Sequence, residues 1–514
     1  MKKVIFIMLL SLLCCSLLAC NSESSANETE SESLSVTEAP AETAKPTTTP
    51  KGIVEQLEPT ATVFSSTTNC KEAILLSTEK ETLLSRLEGA GFTKLDTSRI
   101  EGATFDATVL TNGKEAVTLY SKPNSAELRI MWEPLGYIGT ELLSPNNETG
   151  TGSVSVAQIG TERDKETDNP LVGMCYVIKL ANGKAIVIDG GFNNDACADN
   201  LYNSLATMGI AQIDGKYAIE AWIVTHNHID HSGTYGTFAQ KYANAVKLEY
   251  IISAYPGSDR IVADGSSSFY AGAFRNAKLI NPHASLKYHF GNAVISMFYT
   301  PDMLYDPSYK MPYYNNTSLV FKLEAGGSET MFFGDAGDAA ARKLLKSYDK
   351  TAFKSDIFQM THHGLTTHQS DGLSWTSIKT LYNAIDAHTV LLPMQSRFDG
   401  GDGRNGRYTV LIEWSRADFQ ISYITNKKDN HGLDIITQDY FNQFTAAGEN
   451  GTSEHETLYG YDGINKITNE AGLVTYLGAS ETKPMITLFE LSDGNATLTL
   501  NQMLYGWLGT EDIQ

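Results

Sequence analysis

His226-Asn227-His228-Ile229-Asp230-His231 places three imidazoles and a carboxylate within one short turn. Of the eleven histidines in 514 residues, three stand here, a density of metal-competent side chains that packing alone does not call for. The run before it, Ala221-Trp222-Ile223-Val224-Thr225, is apolar and partly β-branched, the pattern of a buried strand. Ser232-Gly233-Thr234, just after it, offers a turn and a helix start. The reading is a strand that ends with its ligands on the loop beyond. His226 and His228 are two apart on extended backbone and project to one side. They can grip one ion, and Asp230 and His231 can reach a second. Two ions about 3.5–4 Å apart clamp the attacking and leaving oxygens of a displacement.

That arrangement needs a bridging carboxylate from elsewhere in the chain. Asp335 is the candidate, because the apolar run Thr330-Met331-Phe332-Phe333 stops at Gly334 and then Asp335. Asp338, three residues on, reads as a first-turn acid favoured by the helix dipole. A further imidazole is expected from Thr361-His362-His363-Gly364, where a second strand-like run ends. His363 is favoured as the ligand, since Gly364 beside it permits close approach. His362 is then left to protonate a leaving group. Asp230 has a second role, orienting a hydroxide that bridges the ions. Bound water at such a site has its pKa lowered towards about 7. Imidazole and carboxylate donors point to zinc, two ions in all, and manganese or iron suit the same donors.

Residues 52–145 read as a small α+β domain of unassigned role. Thr78 and Glu81 stand at capping-box spacing before Leu83, Leu84 and Leu87, which make one apolar helical face. Thr108–Leu110 and Ala116–Tyr120, joined at Asn112-Gly113, read as a hairpin, with a third strand over Leu128–Trp132. After the turn-rich Ser144–Gly150 come strands at Val154–Ile159, Cys175–Leu180 and Ala185–Ile188, and a helix around Leu201–Met208. Strand and helix patterns then alternate to about residue 438. The fold class is α/β (α+β), two sheets face to face with helices outside, over 152–440. Residues 441–514 are a less patterned extension that either completes the outer layer or stands apart.

The first twenty residues read as a targeting segment. Lys2 and Lys3 precede the apolar Val4–Leu18. Leu17-Leu18-Ala19-Cys20 resembles a bacterial lipoprotein cleavage box, which implies removal of 1–19 and a lipid on Cys20. An ordinary signal peptide or an uncleaved anchor is the plainer alternative. Residues 20–51 are Ser, Thr, Glu, Ala and Pro with almost no large apolar side chain, the composition of a disordered tether. The expected location is a membrane surface outside the cytoplasm. Cys70, Cys175 and Cys197 remain, too few for a disulfide-stapled scaffold. The net charge of −21 counts against a broad nucleic-acid surface.

The His-x-His-x-Asp-His run resembles the defining motif of the metallo-β-lactamase superfamily, and Ile188-Asp189-Gly190-Gly191 is similar to its early strand-end Asp. The order Asn315-Asn316-Thr317-Ser318, Gly334-Asp335, His362-His363-Gly364 looks like two branches in particular. One is the hydrolase-like domain of bacterial competence-channel proteins, the other the surface phosphorylcholine esterases. Arg404–Tyr408 is similar to their Asn-Arg-Tyr-Gly stretch but lacks the His-Pro that often follows there. The resemblance implies a four-layer αββα sandwich with the small domain attached in front. It also implies the metal ligands His226, His228, Asp230, His231, Asp335 and His363. Many members add a further His before the bridging Asp. Here only His283 and His289 are available, neither in a family-like context, so Asn316 or water is expected to complete the first site.

Substrate class is read more coarsely. The nearest branches cleave phosphodiesters, so a phosphodiester, in a small molecule or a cell-surface polymer, is the first expectation. An ester, lactone or β-lactam is the second, and a lipid-anchored binding protein without turnover the third. Tyr313 and Tyr314, with Asn316, form a candidate pocket wall that could hold a cationic head group by cation–π contact. Half-buried aromatics in a long loop are the plainer account.

Overall fold

The computed structural model of the chain describes residues 52–57, 61–65, 67, 69–145, 150–159, 161, 173–255, 274, 276–304, 314–364, 376–387, 389–391, 467–468, 474–475, 486–492 and 495–501. All of them belong to the unit Lys51–Gln514. Cys20, the tether, Tyr313, the Tyr314 and His363 side chains, and Arg404–Tyr408 lie outside the described residues.

Short strands rich in β-branched and aromatic residues build a first antiparallel sheet. They are β1 (Val63–Ser65), β2 (Lys71–Leu75), β3 (Thr93–Lys94), β4 (Asp106–Thr111), β5 (Glu115–Ser121) and β6 (Leu128–Pro134). Their order is β1-β2-β6-β5-β4-β3. The β4–β5 hairpin turns at Asn112-Gly113, where Asn112 Oδ1 accepts the Lys114 and Glu115 N–H groups at 3.0 and 2.8 Å. Helices α1 (Ile53–Leu57) and α2 (Lys80–Gly89) accompany this sheet. Leu83 and Leu87 of α2 are buried with Val117, Leu119 and Ile130. The expected capping box does not form. The helix begins at Lys80, so Glu79 is the N-cap and contributes no side-chain bond, and Glu81 falls one position short of reaching back.

The strands that position the histidine loop form a second sheet. They are β7 (Val154–Ile159), β8 (Cys175–Lys179), β9 (Ala185–Asp189), β10 (Gln212–Ile213), β11 (Lys216–Ile223), β12 (Val246–Ile252) and β13 (Lys278–Ile280). A third sheet holds β14 (Lys287–Phe290), β15 (Ala293–Tyr299), β16 (Val320–Ala325), β17 (Ser328–Phe332), β18 (Ile357–Gln359) and β19 (Thr389–Leu391), in that order. A short pair, β20 (Ile467–Thr468) and β21 (Val474–Thr475), stands by itself. Two late strands, β22 (Ile486–Ser492) and β23 (Asn495–Asn501), join the second sheet, whose order is β13-β12-β11-β9-β8-β7-β22-β23. Residues 486–501 therefore extend this sheet, with Ile486 opposite Ile159 and Leu491 opposite Val154.

The helices cover the outer faces. They are α3 (Asp195–Thr207), the single-turn α4 (Ile229–Ser232), α5 (Thr234–Tyr242), α6 (Asp338–Ser347) and α7 (Thr376–Ile385). Strands β9, β11 and β12 run parallel. β9 is buried along its whole length and β11 over its last six residues, whereas β12 alternates at first, with Lys247 and Glu249 exposed. Their outer residues Val187 and Trp222 pack with Leu201 and Leu205 of α3 and Phe238 of α5. Their inner residues Ile186, Ile188 and Ile223 meet Phe321, Phe332 and Phe358 of the facing sheet. Each such side chain contributes about 1.5–3 kcal/mol of burial. The Tyr176 ring stands edge-on to Phe332 at 5.4 Å and ties the two sheets together. On the far side Ala340, Ala341 and Leu344 of α6 enter the same core. The layers are helix, sheet, sheet, helix. Cys70, Cys175 and Cys197 are buried free thiols. Among the described residues no helix is long and apolar enough to cross a membrane.

Candidate metal centre

Strand β11 runs out at Ile223, and Val224, Thr225 and His226 follow at the edge shared by the two sheets. Asp189, the last residue of β9, organises this exit. Its Oδ1 accepts the Thr225 N–H at 2.7 Å, and its Oδ2 accepts the Thr225 hydroxyl at 2.7 Å. The same Oδ2 lies 2.6 Å from His231 Nδ1. A carboxylate only accepts, so Nδ1 carries a proton and Nε2 is turned the other way. Asp189 holds a left-handed backbone at φ 54°, rare for a residue with a side chain, and Gly191 follows at φ 84°. A Cβ on Gly191 would stand 2.6 Å from the Thr161 methyl. The bend that lets Asp189 face the loop is thus reserved for a glycine beside it.

Asp335 arrives from the other sheet. Strand β17 ends at Phe332, Phe333 N–H is held by Gln359 Oε1 at 2.8 Å, and Gly334 turns left-handed at φ 53°. Asp335 N–H then donates to Ser318 Oγ at 3.0 Å. A Cβ on Gly334 would lie 2.8 Å from both Cβ and Oγ1 of Thr225. Gly334→Ala is accordingly expected to cost at least about 1–3 kcal/mol in backbone strain, with displacement of Asp335 in addition. A thermal melt of the variant reads the loss. A melt superimposable on that of the parent chain would mean the turn accepts a side chain.

The carboxylate of Asp335 meets three imidazoles. His231 Nε2 is 3.1 Å from Oδ1, while His226 Nε2 and His362 Nε2 are 3.7 and 3.8 Å from Oδ2. His226, His228 and Asp335 present ligand atoms within 4.8 Å of one another, and so do Asp230, His231 and Asp335. Asp335 is the member common to both groups. His226, His231 and Asp335 are buried, whereas His228 and Asp230 are partly exposed.

His362 also has a left-handed backbone, φ 50°, and its N–H donates to the Gly334 carbonyl at 3.1 Å. That bond seats the β18 exit directly on the Asp335 turn. The His362 ring, part-exposed, lies 3.3 Å from Asn315 Nδ2 and belongs to neither three-residue group. Asn316 is buried in the adjoining 3-10 turn, its carbonyl held by the Tyr299 hydroxyl at 2.7 Å.

Other sequence candidates lie elsewhere. His283 is paired with Glu133 at 2.6 Å, and His289 sits in β14 opposite Val294. Asp338 does begin α6, and its carboxylate accepts the Ser377 and Ile378 N–H groups at 2.9 and 3.3 Å, capping α7. Three supporting residues have no role assigned from sequence: Thr225, and Asn315 and Ser318, which enter there only as part of a motif. For Thr225 the available signal is a hydroxyl residue directly before the first His.

The donor set fits divalent ions. His226 Nε2 is buried with no hydrogen-bond partner although it faces Asp335. Burial, with the His231 and His228 rings beside it, holds His226 well below the usual imidazole range. At His231 burial opposes a charge, but Asp335, Asp189 and Asp230 outweigh it and hold the ring well above that range. The centre therefore draws positive charge to the carboxylates yet refuses it on His226, the demand a bound cation meets without protons.

Comparison with known proteins bears on this arrangement. Residues 168–262 match the model of the metallo-beta-lactamase superfamily, a span that holds Asp189 and the whole 226–231 cluster. No curated protein matches the chain. Among solved structures it is similar to the metallo-beta-lactamase fold protein YhfI of Bacillus subtilis, with 13% identity over 40% of this chain and 70% of that one, TM-score 0.24. Human tRNase Z, short form, gives 14% identity over 45% and 89%, TM-score 0.24. The diiron β-hydroxylase CmlA of Streptomyces venezuelae gives 9% over 56% and 52%, TM-score 0.32. The segment around the histidine loop, residues 168–262, is thus similar to the metallo-β-lactamase superfamily, and it lies within an αββα layering of the kind expected for that fold.

Proposed function

We propose that the protein is a membrane-anchored hydrolase facing outside the cytoplasm, that it uses two divalent ions, zinc first, and that its substrates are phosphodiesters. The observation that carries the catalytic part is the meeting of side chains from three separate strand exits on Asp335. The anchoring part rests on the lipoprotein-like box ending at Cys20 and the polar stretch behind it. The phosphodiester part rests on the Asn315-Asn316, Gly334-Asp335, His362-His363-Gly364 order.

His226, His228 and Asp335 would hold one ion, and Asp230, His231 and Asp335 the other, with His363 as the further expected ligand. The ions supply Lewis-acid activation of water at neutral pH and neutralise charge on the substrate oxygens. Asp189 fixes the His231 ring through Nδ1, so that Nε2 alone faces the centre. Asp230, partly exposed, is placed to accept a hydrogen bond from the attacking water and aim it. His362 is the proposed acid for the leaving oxygen; at rest its Nε2 accepts from Asn315 Nδ2 at 3.3 Å, so that bond opens when Nε2 takes up the proton it hands on. A choline-like head group, held by Tyr313 and Tyr314, is a further substrate class to try.

The test compares hydrolysis of bis-p-nitrophenyl phosphate by the parent chain and by Asp230→Ala, with bound ions counted by plasma mass spectrometry. Asp230 touches one ligand group only, so the variant is expected to keep one ion and to lose turnover by about a hundredfold or more. Equal rates for the two proteins would overturn the mechanism.

A further inference from the structure

A cavity of about 270 Å³ lies away from these ligands, at the seam between the β1–β6 sheet and α6. The small sheet contributes Tyr120, Lys122 and Arg129, and α6 contributes Lys343 and Ser347. Lys343 and Ser347 are four apart and so share one face of the helix. Arg129 is already answered, by Glu72 at 3.0 Å and by the Asp302 carbonyl. Lys343 is not. Glu127 and Asp302 also line the cavity, yet among the described residues no carboxylate comes within ion-pair distance of the Lys343 ammonium. Burial, with Arg129 and Lys122 nearby, pushes Lys343 down to about 8. Ser347 is 1% exposed, and its hydroxyl is buried without a hydrogen-bond partner. A half-buried ammonium and an unmatched buried hydroxyl on one helix face are costly unless something answers them. Phe105 and Tyr120, stacked edge to face at 5.7 Å, give the same cavity an aromatic wall.

We propose that this seam cavity is a second ligand site, separate from the metal centre, for a small organic anion. Its phosphoryl or carboxylate head meets Lys343, Ser347 and Lys122, and its apolar body lies on Phe105 and Tyr120. The volume suits a ligand of about ten heavy atoms rather than a polymer. Charge-assisted hydrogen bonds to a fixed ammonium favour an anionic head over a neutral one. Neither the sheet nor the sandwich encloses the cavity alone, so the ligand binds only when the two are together.

The test is calorimetric titration of the metal-loaded full chain with benzylphosphonate, which carries both features and has no ester bond to cleave. Benzyl alcohol is the uncharged control. Besides any binding at the metal ions, one saturable event with benzylphosphonate and none with benzyl alcohol is expected. The event persists in the His226→Ala, His228→Ala double variant, which separates it from the metal centre and from any failure of the hydrolase reading. Lys343→Met is expected to weaken it at least about tenfold, and Lys343→Arg to hold it within about threefold. Lys122→Met, at an exposed position, weakens it as well and serves if Lys343→Met does not fold. No saturable binding, binding unaffected by Lys343→Met and Lys122→Met, or binding lost only in the metal-centre variant would each overturn the proposal.

Discussion

Asp335→Ala is expected to lose both ions and at least about a thousandfold in turnover, the largest effect of any single change at the centre. The reason is geometric. Every other ligand belongs to one group, while Asp335 is shared, with Oδ1 3.1 Å from His231 and Oδ2 3.7 Å from His226. Removing it leaves neither group with three donors, and the buried His226 and His231 rings face each other with ring centroids 4.2 Å apart and no anion between them. The variants should therefore be graded: about two ions in the parent chain, one in Asp230→Ala and none in Asp335→Ala. Plasma mass spectrometry of the purified proteins reads the series directly. Circular dichroism guards against misfolding, because the Asp335 side chain takes no part in either sheet's ladder. Two ions retained by Asp335→Ala would show that the rings bind without it, and the bridging role would be lost.

The legible part of this centre was the part written locally. His226, His228, Asp230 and His231 lie within six residues on one strand exit, so their convergence needs no tertiary information. Asp335 was legible for a related reason. An apolar strand that stops at a glycine and then a carboxylate announces an exposed strand end, and Gly334 does adopt the left-handed turn such a stop requires. The second sphere was less visible. Asn315 and Ser318 act through contacts made 47 and 17 residues away, at His362 and Asp335, and the motif that contains them does not say which partners these two side chains take. The left-handed backbone of His362 shows the same limit, since no periodicity encodes that dihedral. The last two strands are a third case. β22 pairs with β7, more than three hundred residues upstream, and β23 with β22, so their place in the sheet could not be inferred from the tail alone. The Thr78–Glu81 spacing misled for the opposite reason. It matches a local rule, but the helix starts two residues after Thr78, and a capping box tolerates no slip.

His283→Ala is expected to destabilise the fold by about 3–5 kcal/mol, although the residue lies outside the metal centre. His283 and Glu133 are 1% and 3% exposed and 2.6 Å apart, with Asn281 donating to the second Glu133 oxygen at 2.6 Å. Glu133 belongs to β6 of the small sheet, whereas His283 precedes β14 of the sandwich, so the pair is a buried polar link between the two. Such a pair gains little when intact, because both charges are stripped of water. Deleting one partner leaves the other charge buried and answered only by Asn281. The Glu133→Met, His283→Leu double variant should therefore recover at least half of the loss, an outcome that separates an uncompensated charge from lost packing. The pH dependence has a definite sign. Burial opposes a charge on His283, but Glu133 and then Asp302 outweigh it and raise its pKa in the folded chain. A raised folded value means that the stabilisation is complete below the unfolded imidazole pKa of about 6.5 and is lost as pH rises through the folded value. Melting of the metal-free parent should thus fall relative to His283→Ala above about pH 6.5, at roughly 2 °C for each kcal/mol in a chain of this size. A constant difference between the two proteins from pH 6 to pH 9 would mean that His283 stays neutral in the fold. The link would then be an ordinary hydrogen bond, and the double variant would recover nothing.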